Sequence, residues 1–207
     1  MISAYQYNTF NNLKEGNYGD CITIESIKGK GDHGIGTFSQ LDGELIVKDG
    51  IFFHCRQGRA HKAKENDLVV WSCLNNFYKP KSSCRQFKWK NVEVFLLEEN
   101  ISLSKDFLAI KISGNFDVVK ITSTMRQQKP YLSLEEVAAQ SDNYYHTNIN
   151  GDMIGFYVPR YLAGMQSSGL HLHFICAEQK YGGHVLDFYS QKVEVKLEKI
   201  THLSLDF

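Results

Sequence analysis

Several features that mark specialised classes of protein are missing from this sequence. No run approaches the roughly 18 apolar residues of a membrane-spanning helix, and residues 1–20 lack the apolar segment of a signal peptide. Neither sign of charge is in excess, since Lys plus Arg total 23 and Asp plus Glu total 23. The basic surplus that is typical of nucleic-acid-binding proteins is therefore missing as well. We expect neither a membrane nor a nucleic acid as a partner.

Cysteine and proline are both sparse. The five cysteines are odd in number and form no Cys-x-x-Cys pair, which indicates free thiols in a reducing compartment and predicts a cytoplasmic protein. The sequence has only three prolines and many Val, Ile, Phe, Tyr and Thr residues, and this composition favours strands over long helices. Alternating apolar runs predict strands at 21–27, 43–55, 67–71, 106–113 and 151–158.

Turn and cap residues add detail to this pattern. Asp49-Gly50 predicts a tight hairpin turn, and Gly114-Asn115 predicts a junction between two strands. The segment SLEEVAAQS at 133–141 carries a capping box and predicts a short helix. The segment PRYLAGM at 159–165 opens on proline and predicts a second one.

A polar segment, ISLSKD at 101–106, separates two strand-rich halves of the chain. We therefore predict an α+β fold (mixed α/β, strand-rich), with an N-terminal mixed-sheet subdomain at 1–105 and a C-terminal metal-binding subdomain at 106–207. Segments 34–53 and 169–188 share a strand, turn, strand rhythm with glycines in the turn. Either a duplicated unit or two unrelated β-hairpins would produce this rhythm.

Three histidines near the C-terminus form the most informative pattern. His171 and His173 lie two residues apart in an apolar run, so in a strand they face the same way with Cα atoms roughly 6.6 Å apart. A Gly-Gly turn then returns the chain, and His184 opens the next strand beside them. Three neutral imidazoles with a fourth position open are typical of a catalytic zinc site. The sequence therefore predicts that these three side chains bind Zn²⁺.

The alternative is three unrelated histidines on a solvated strand. A lone His-x-His pair would favour that alternative, but the third histidine after the turn favours the metal site. On the opposite face of the same strand, Leu170, Leu172, Phe174 and Cys176 are predicted to be core. The scattered histidines are predicted to be surface or structural residues: His33, His54, His61, His146 and His202.

Three segments of the chain, in unchanged order, resemble the acetolactate decarboxylase family. They are GDHGIGTFSQLDGELIVKDG at 31–50, KISGNFDVVKITS at 111–123 followed by QQKPY, and GLHLHFICAEQKYGGHVLDF at 169–188. The likeness covers most of residues 20–197. It implies two similar strand-rich subdomains with few short helices, a zinc site in a cleft and a homodimer. The implied reaction converts a small molecule, 2-acetolactate, to acetoin and carbon dioxide.

The resemblance also implies roles for individual residues. His171, His173 and His184 fall on the three zinc ligands of the family. Glu44 falls on the catalytic glutamate of the LDGE segment, and Thr37 on a threonine beside the substrate. Loss of carbon dioxide from a 2-hydroxy-3-keto acid leaves an enediolate, which zinc stabilises as a Lewis acid while a positioned acid delivers a proton. From the residues alone, Glu44 is also compatible with an ordinary exposed strand position.

The chain departs from the family pattern at two places. Thr122 stands where the family carries an active-site arginine, and the chain stops at Phe207 where the family has a tail that brings another carboxylate over the cleft. If residues 118–126 form one strand, Lys120 and Arg126 share the face of Thr122, and Lys120 is the nearer candidate to supply the missing charge. The alternative is that Lys120 faces solvent.

Two alternatives to an enzyme that acts on acetolactate remain open. The first is a diverged member of the family that acts on a different substrate. The His-x-His and Gly-Gly-His pattern also resembles the small domain shared by plant and prokaryotic AT-hook-type proteins, which would make this a non-enzymatic binding module. The chain length and the GTFSQLDGE segment favour the enzyme.

Overall fold

The structure is a computed structural model that describes residues 2–207. In chain order its strands are β1 (Ser3–Tyr7), β2 (Ile22–Thr23), β3 (His33–Phe38), β4 (Glu44–Lys48), β5 (Ile51–Arg56), β6 (Arg59–Lys62), β7 (Leu68–Asn75), β8 (Lys81–Lys88), β9 (Leu108–Thr122), β10 (Asn143–Val158), β11 (Gly169–Cys176), β12 (Gly182–Lys199) and β13 (His202–Asp206). The α-helices are α1 (Phe10–Lys14), α2 (Ile24–Ile27), α3 (Val92–Glu98) and α4 (Leu134–Ala139). Single 3-10 turns span Ser39–Leu41, Trp89–Asn91 and Arg160–Leu162.

The strands form two sheets. The first has the order β13-β1-β7-β3-β4-β5-β6, with β2 paired to β7 at one side. The second has the order β11-β10-β9-β12-β8, and β11 pairs with β12 as well as with β10. This extra pairing makes the second sheet close on itself at one end. The predicted strand-rich fold, with two mixed sheets and few short helices, is confirmed.

Local turn chemistry explains two of the predicted features. Asp49 and Gly50 have φ angles of 51° and 74°, the left-handed values that a tight two-residue hairpin requires, and they join β4 to β5 as predicted. At the start of α4, the Ser133 side chain accepts from the backbone N–H of Glu136, while the Glu136 carboxylate accepts from the backbone N–H of Ser133. The predicted capping box is therefore confirmed.

Three local predictions are wrong. The strand predicted at 21–27 forms only at Ile22–Thr23, because the Thr23 side chain caps a short helix, α2, at Ile24–Ile27. Gly114-Asn115 does not separate two strands, because β9 runs through it and pairs with β10 on one side and β12 on the other. Cross-strand hydrogen bonding on both edges outweighs the local turn signal. The segment after Pro159 forms only the 3-10 turn Arg160–Leu162, after which the chain enters an irregular loop.

Sheet membership does not follow the predicted boundary between residues 105 and 106. Strand β8, before the boundary, pairs with β12 in the second sheet, and β13, after it, pairs in parallel with β1 in the first. Buried Ile46 and Cys55 of the first sheet pack with Ile154 and Ile175 of the second. None of the helices within residues 2–207 is long and apolar enough to cross a membrane.

Candidate metal centre

The three predicted histidines come together on the β11–β12 hairpin. His173 and His184 are cross-strand partners, and His171 lies two residues before His173 on the same face of β11. The imidazole centroids are 4.9, 5.2 and 5.3 Å apart, and one potential ligand atom from each ring lies within 4.8 Å of the other two. The strand register predicted from the sequence is confirmed, and it produces a near-equilateral group of imidazoles.

The surroundings of the rings fit a divalent metal of the zinc type. Nδ1 of His173 donates to the Leu45 carbonyl at 2.9 Å, which leaves Nε2 as an unprotonated, buried nitrogen with no partner among residues 2–207. Nδ1 of His171 is also buried without a partner in that part of the chain. Unpaired buried nitrogens of this kind are costly unless a ligand satisfies them.

The three imidazoles are neutral, as metal ligands must be. Burial, together with a smaller contribution from the neighbouring His184, lowers the pKa of His173 to about 3. Burial also lowers the pKa of His184 to about 4 and holds that of His171 well below its ordinary value. Neutral imidazole is the form that binds Zn²⁺. The donor set therefore fits one zinc ion with room for a further ligand.

The glycines before His184 are required because the backbones approach closely. A Cβ atom at Gly183 would lie 2.5 Å from the carbonyl oxygen of Thr122, and one at Gly182 would lie 2.8 Å from Sγ of Cys55. Any side chain at Gly183 would push β12 away from β9 and move His184. Both glycines are paired residues of β12, so the predicted Gly-Gly turn is wrong, and it is their close packing that fixes the position of the third histidine.

Trp71 is a neighbour of the histidines that sequence reasoning missed. Its ring is almost parallel to the ring of His171, at 11° and 5.8 Å between centroids. The side chain is buried, and it comes from β7 in the first sheet. Trp71 is the last residue of the apolar run DLVVW. Nothing in that run distinguishes a core residue from one that faces the metal centre.

Glu44 is buried beside the metal centre. Its Oε1 accepts from the backbone N–H of Thr124 at 3.0 Å and from the Thr124 hydroxyl at 3.2 Å. Its Oε2 lies 3.7 Å from Nε2 of His173. Burial raises the pKa of Glu44 to about 7, although the two bonds from Thr124 oppose the shift. The buried carboxyl group thus holds its proton to a higher pH than an exposed strand residue would.

A cavity of about 260 Å³ opens onto these groups. The three histidines, Glu44 and Thr37 all line it, so the structure brings together the five residues to which the family resemblance gives a role. The Thr37 hydroxyl donates to the carbonyl of Gly43 at 2.8 Å and holds the turn that leads into Glu44. Apolar residues also line the cavity: Phe10 and Leu13 come from α1, and Leu134 and Ala138 come from α4.

Similarity to known proteins identifies the family to which the chain belongs. The sequence profile described as alpha-acetolactate decarboxylase matches residues 4–207. The chain belongs to the alpha-acetolactate decarboxylase family. It is 33% identical over 208 residues to the alpha-acetolactate decarboxylase of Bacillus licheniformis, covering 99% of this chain and 82% of that one. It is 31% identical to that of Methanosarcina mazei, covering 94% of this chain and 68% of the relative.

Solved structures agree with this family membership. Acetolactate decarboxylase from Bacillus subtilis subspecies spizizenii matches with a TM-score of 0.93 and 31% identity, covering 98% of this chain and 88% of that one. A Staphylococcus aureus protein described as similar to alpha-acetolactate decarboxylase matches with a TM-score of 0.94 and 30% identity, covering 99% of this chain and 89% of that one.

Neither of the two basic residues considered as candidates to supply charge to the cavity, Lys120 and Arg126, reaches it. The premise of a continuous strand is wrong, because β9 ends at Thr122. The Lys120 ammonium lies over the ring of Tyr145, 5.6 Å from its centroid, and Nε of Arg126 donates to Gln40 at 2.6 Å. Neither residue lines the cavity. Thr122 does line it, with its hydroxyl bonded to the carbonyl of Asp142.

The remaining histidines lie away from the metal centre. His33 is near Asp49, with 3.2 Å between Nε2 and Oδ1, and His54 stacks on Phe38 at 3.6 Å between centroids. His146 packs beside Tyr181. Within residues 2–207, His171, His173 and His184 are the only group of three or more His, Cys, Asp or Glu residues placed to hold a metal ion.

Proposed function

We propose that this member of the family is a zinc-dependent enzyme that decarboxylates 2-acetolactate to acetoin and carbon dioxide. His171, His173 and His184 would hold the zinc, Glu44 would transfer the proton, and Thr37 would border the substrate. The proposal is supported above all by three neutral imidazoles that converge within 4.8 Å beside a buried carboxyl group. Family membership over residues 4–207 supports the reaction.

Zinc and Glu44 would have different roles in the reaction. When bound, zinc supplies Lewis-acid stabilisation of the negative charge that remains on the substrate after carbon dioxide leaves. Glu44 then provides the proton that the resulting carbon requires. Since Oε1 of Glu44 accepts two hydrogen bonds from Thr124, the proton is held at Oε2, the oxygen that lies nearer to His173.

The apolar walls would favour the loss of carbon dioxide. Side chains such as Phe10, Leu13 and Leu134 surround the space in front of the histidines and exclude water from it. In a site of low polarity, the electrostatic interactions of the bound substrate are stronger than in water.

A second candidate is the same reaction on a different 2-hydroxy-3-keto acid. No lysine or arginine occurs among the described residues that line the cavity. A substrate with a larger apolar substituent would gain contacts with α1 and α4 that acetolactate does not fill. The third alternative, a binding module without catalysis, is disfavoured by Glu44, whose raised pKa suits proton transfer.

An acetoin assay tests the proposal. The chain is stripped of metal, reloaded with one equivalent of Zn²⁺ and incubated with racemic 2-acetolactate, with the metal-free chain and a buffer blank as controls. We expect acetoin from the zinc-loaded chain only. Acetoin at the rate of the blank would reject acetolactate as substrate. Turnover of a bulkier 2-hydroxy-3-keto acid in the same assay would then support the second candidate.

Two further properties of the chain stay predictions. We propose that it forms a homodimer and acts in the cytoplasm, as the family resemblance and the free cysteines indicate. Light scattering of the purified chain would measure its mass in solution. A mass near twice 23.7 kDa is expected, and a single-chain mass at micromolar concentration would contradict the dimer.

A further inference from the structure

The cavity must recognise an anion without a cationic side chain. The proposed substrate carries a carboxylate, and no lysine or arginine occurs among the described residues around the cavity. Hydroxyl groups are the alternative donors, because a neutral O–H can donate to a carboxylate in a charge-assisted hydrogen bond. Five of the lining residues carry a hydroxyl: Thr37, Thr122, Thr124, Ser141 and Ser167.

Four of these five hydroxyls already donate their only proton to the protein. Thr37 donates to the Gly43 carbonyl at 2.8 Å, and Thr122 to the Asp142 carbonyl at 2.7 Å. Ser141 donates to the Val137 carbonyl at 2.9 Å, and Thr124 to the Glu44 carboxylate at 3.2 Å. Each hydroxyl has a single proton, so none of the four can donate to a ligand without giving up its present bond.

Ser167 is the exception. Its hydroxyl makes no hydrogen bond within residues 2–207, and the side chain is partly exposed where it lines the cavity. The indole N–H of Trp71 also has no partner in that part of the chain, but its nitrogen is fully buried and cannot reach a ligand without rearrangement. Ser167 is thus the free, accessible neutral donor of the cavity wall.

The backbone around Ser167 is held in place on both sides. The preceding residue, Gln166, is buried, its side chain donates to Oε1 of Gln6 at 2.6 Å, and its backbone N–H donates to the Leu162 carbonyl. Two residues later, β11 begins at Gly169 and leads directly to His171. A donor fixed between an anchored side chain and a paired strand needs little ordering when a ligand arrives.

We propose that Ser167 is a substrate-binding residue whose hydroxyl donates to the carboxylate of a 2-hydroxy-3-keto acid held at the metal centre. The proposal rests on the proposed function for the identity of the acid. It assigns carboxylate recognition to a neutral donor. A neutral donor orients the group that leaves as carbon dioxide without stabilising its charge as strongly as a cation would.

The test compares two molecules that differ only by the carboxylate. Acetolactate carries it, and acetoin has the same hydroxyl and ketone without it. We expect Ser167→Ala to raise KM for acetolactate about ten- to a hundredfold, the usual range for loss of a hydrogen bond to a charged group. The inhibition constant of acetoin should change less than about twofold, and Ser167→Thr, which keeps the hydroxyl, should restore most of the affinity.

Ser168→Ala is the matched control, because Ser168 is exposed and does not line the cavity. Equal weakening of acetolactate and acetoin by Ser167→Ala, or unchanged KM, would overturn the proposal. If the parent does not turn over acetolactate, the proposed function fails, and acetolactate becomes a stable ligand whose affinity for the zinc-loaded chain is measured by calorimetry. Loss of that affinity in Ser167→Ala alone supports the proposal, and absence of binding by the parent rejects it.

Discussion

The two sides of the cavity are built in different ways. The metal side comes from one hairpin, in which residues 171–184 supply all three histidines. The opposite side combines α1, the turn before β4, Thr124 and α4, which are distant in the sequence. Local pairing fixes the first side, whereas contacts between segments far apart in the sequence fix the second. Metal binding and substrate chemistry therefore depend on separable parts of the molecule.

This difference predicts that the two functions can be changed independently. A substitution on the hairpin should alter metal affinity first, and activity only as a consequence. A substitution on the opposite side should alter turnover while the metal stays bound. Glu44 provides the most demanding test of this independence. It belongs to β4, yet its Oε2 lies 3.7 Å from Nε2 of the metal-side residue His173.

The largest effect on turnover with metal retained is expected for Glu44→Gln. The variant keeps the shape of the side chain but cannot release a proton, and general acid-base assistance typically contributes about 10²–10⁴ in rate. We expect kcat for acetolactate to fall by that range, while zinc content and the hydrogen bonds from Thr124 persist. Elemental analysis and acetoin formation measure the two quantities. Parental turnover in this variant would show that Glu44 has only a structural role.

The pH profile provides the control for this interpretation. Burial raises the pKa of Glu44 from 4.5 to about 7, so the proton is present below about pH 7 and lost above it. A proton donor works only while protonated, so kcat of the parent should fall as pH rises through the pKa of Glu44, which the positive charge of bound zinc would bring below the value in the metal-free chain. The residual activity of Glu44→Gln should lack this decline. The same decline in both proteins would assign it to another group.

An intermediate effect is expected for Gly183→Ala on the metal side. The added methyl group would meet the Thr122 carbonyl at 2.5 Å, so β12 must shift and carry His184 with it. Overpacking of this kind typically costs about 1–3 kcal/mol, and we expect weaker zinc binding together with a lower free energy of unfolding. Gly19→Ala is the matched control, because no atom lies within 4 Å of the position that its methyl group would take. Parental zinc affinity in Gly183→Ala would contradict the role given to this close approach.

The smallest effects are expected for Lys120→Met and Arg126→Met. Lys120 lies over Tyr145 and Arg126 is bonded to Gln40, and neither side chain lines the cavity. Each variant should keep kcat/KM for acetolactate within about twofold of the parent, as expected for substitutions outside the site. A loss of tenfold or more in either variant, with zinc retained, would show that its charge reaches the substrate.

The sequence predicted the metal side well and the opposite side only in part. Alternation along the strand was enough to place His171 and His173 on one face, and the predicted return of the chain brings His184 beside them, although Gly182 and Gly183 lie in β12 and not in the turn. Glu44 and Thr37 entered through the family resemblance, since their spacing alone indicates nothing. Thr124 and Trp71 were missed, because their roles arise from contacts between residues far apart in the sequence.

Contacts between residues far apart in sequence also explain two features that the sequence did not predict correctly. Gly114-Asn115 has the local composition of a turn, yet pairing with β10 and β12 on both edges keeps β9 extended through it. The parallel pairing of β13 with β1 joins the two ends of the chain, and no local pattern can indicate that. Contacts between residues far apart in sequence decide both features.

The zinc content of the purified chain tests the three-histidine metal centre most directly. After reconstitution with Zn²⁺ and removal of the excess, elemental analysis should find about one zinc per parent chain. We predict that His171→Ala, His173→Ala and His184→Ala each lose most of this zinc, whereas Glu44→Gln and His146→Ala keep it, since neither residue belongs to the group of three histidines. One tightly held zinc in His184→Ala would contradict the account, because the metal would then bind without the hairpin partner of His173.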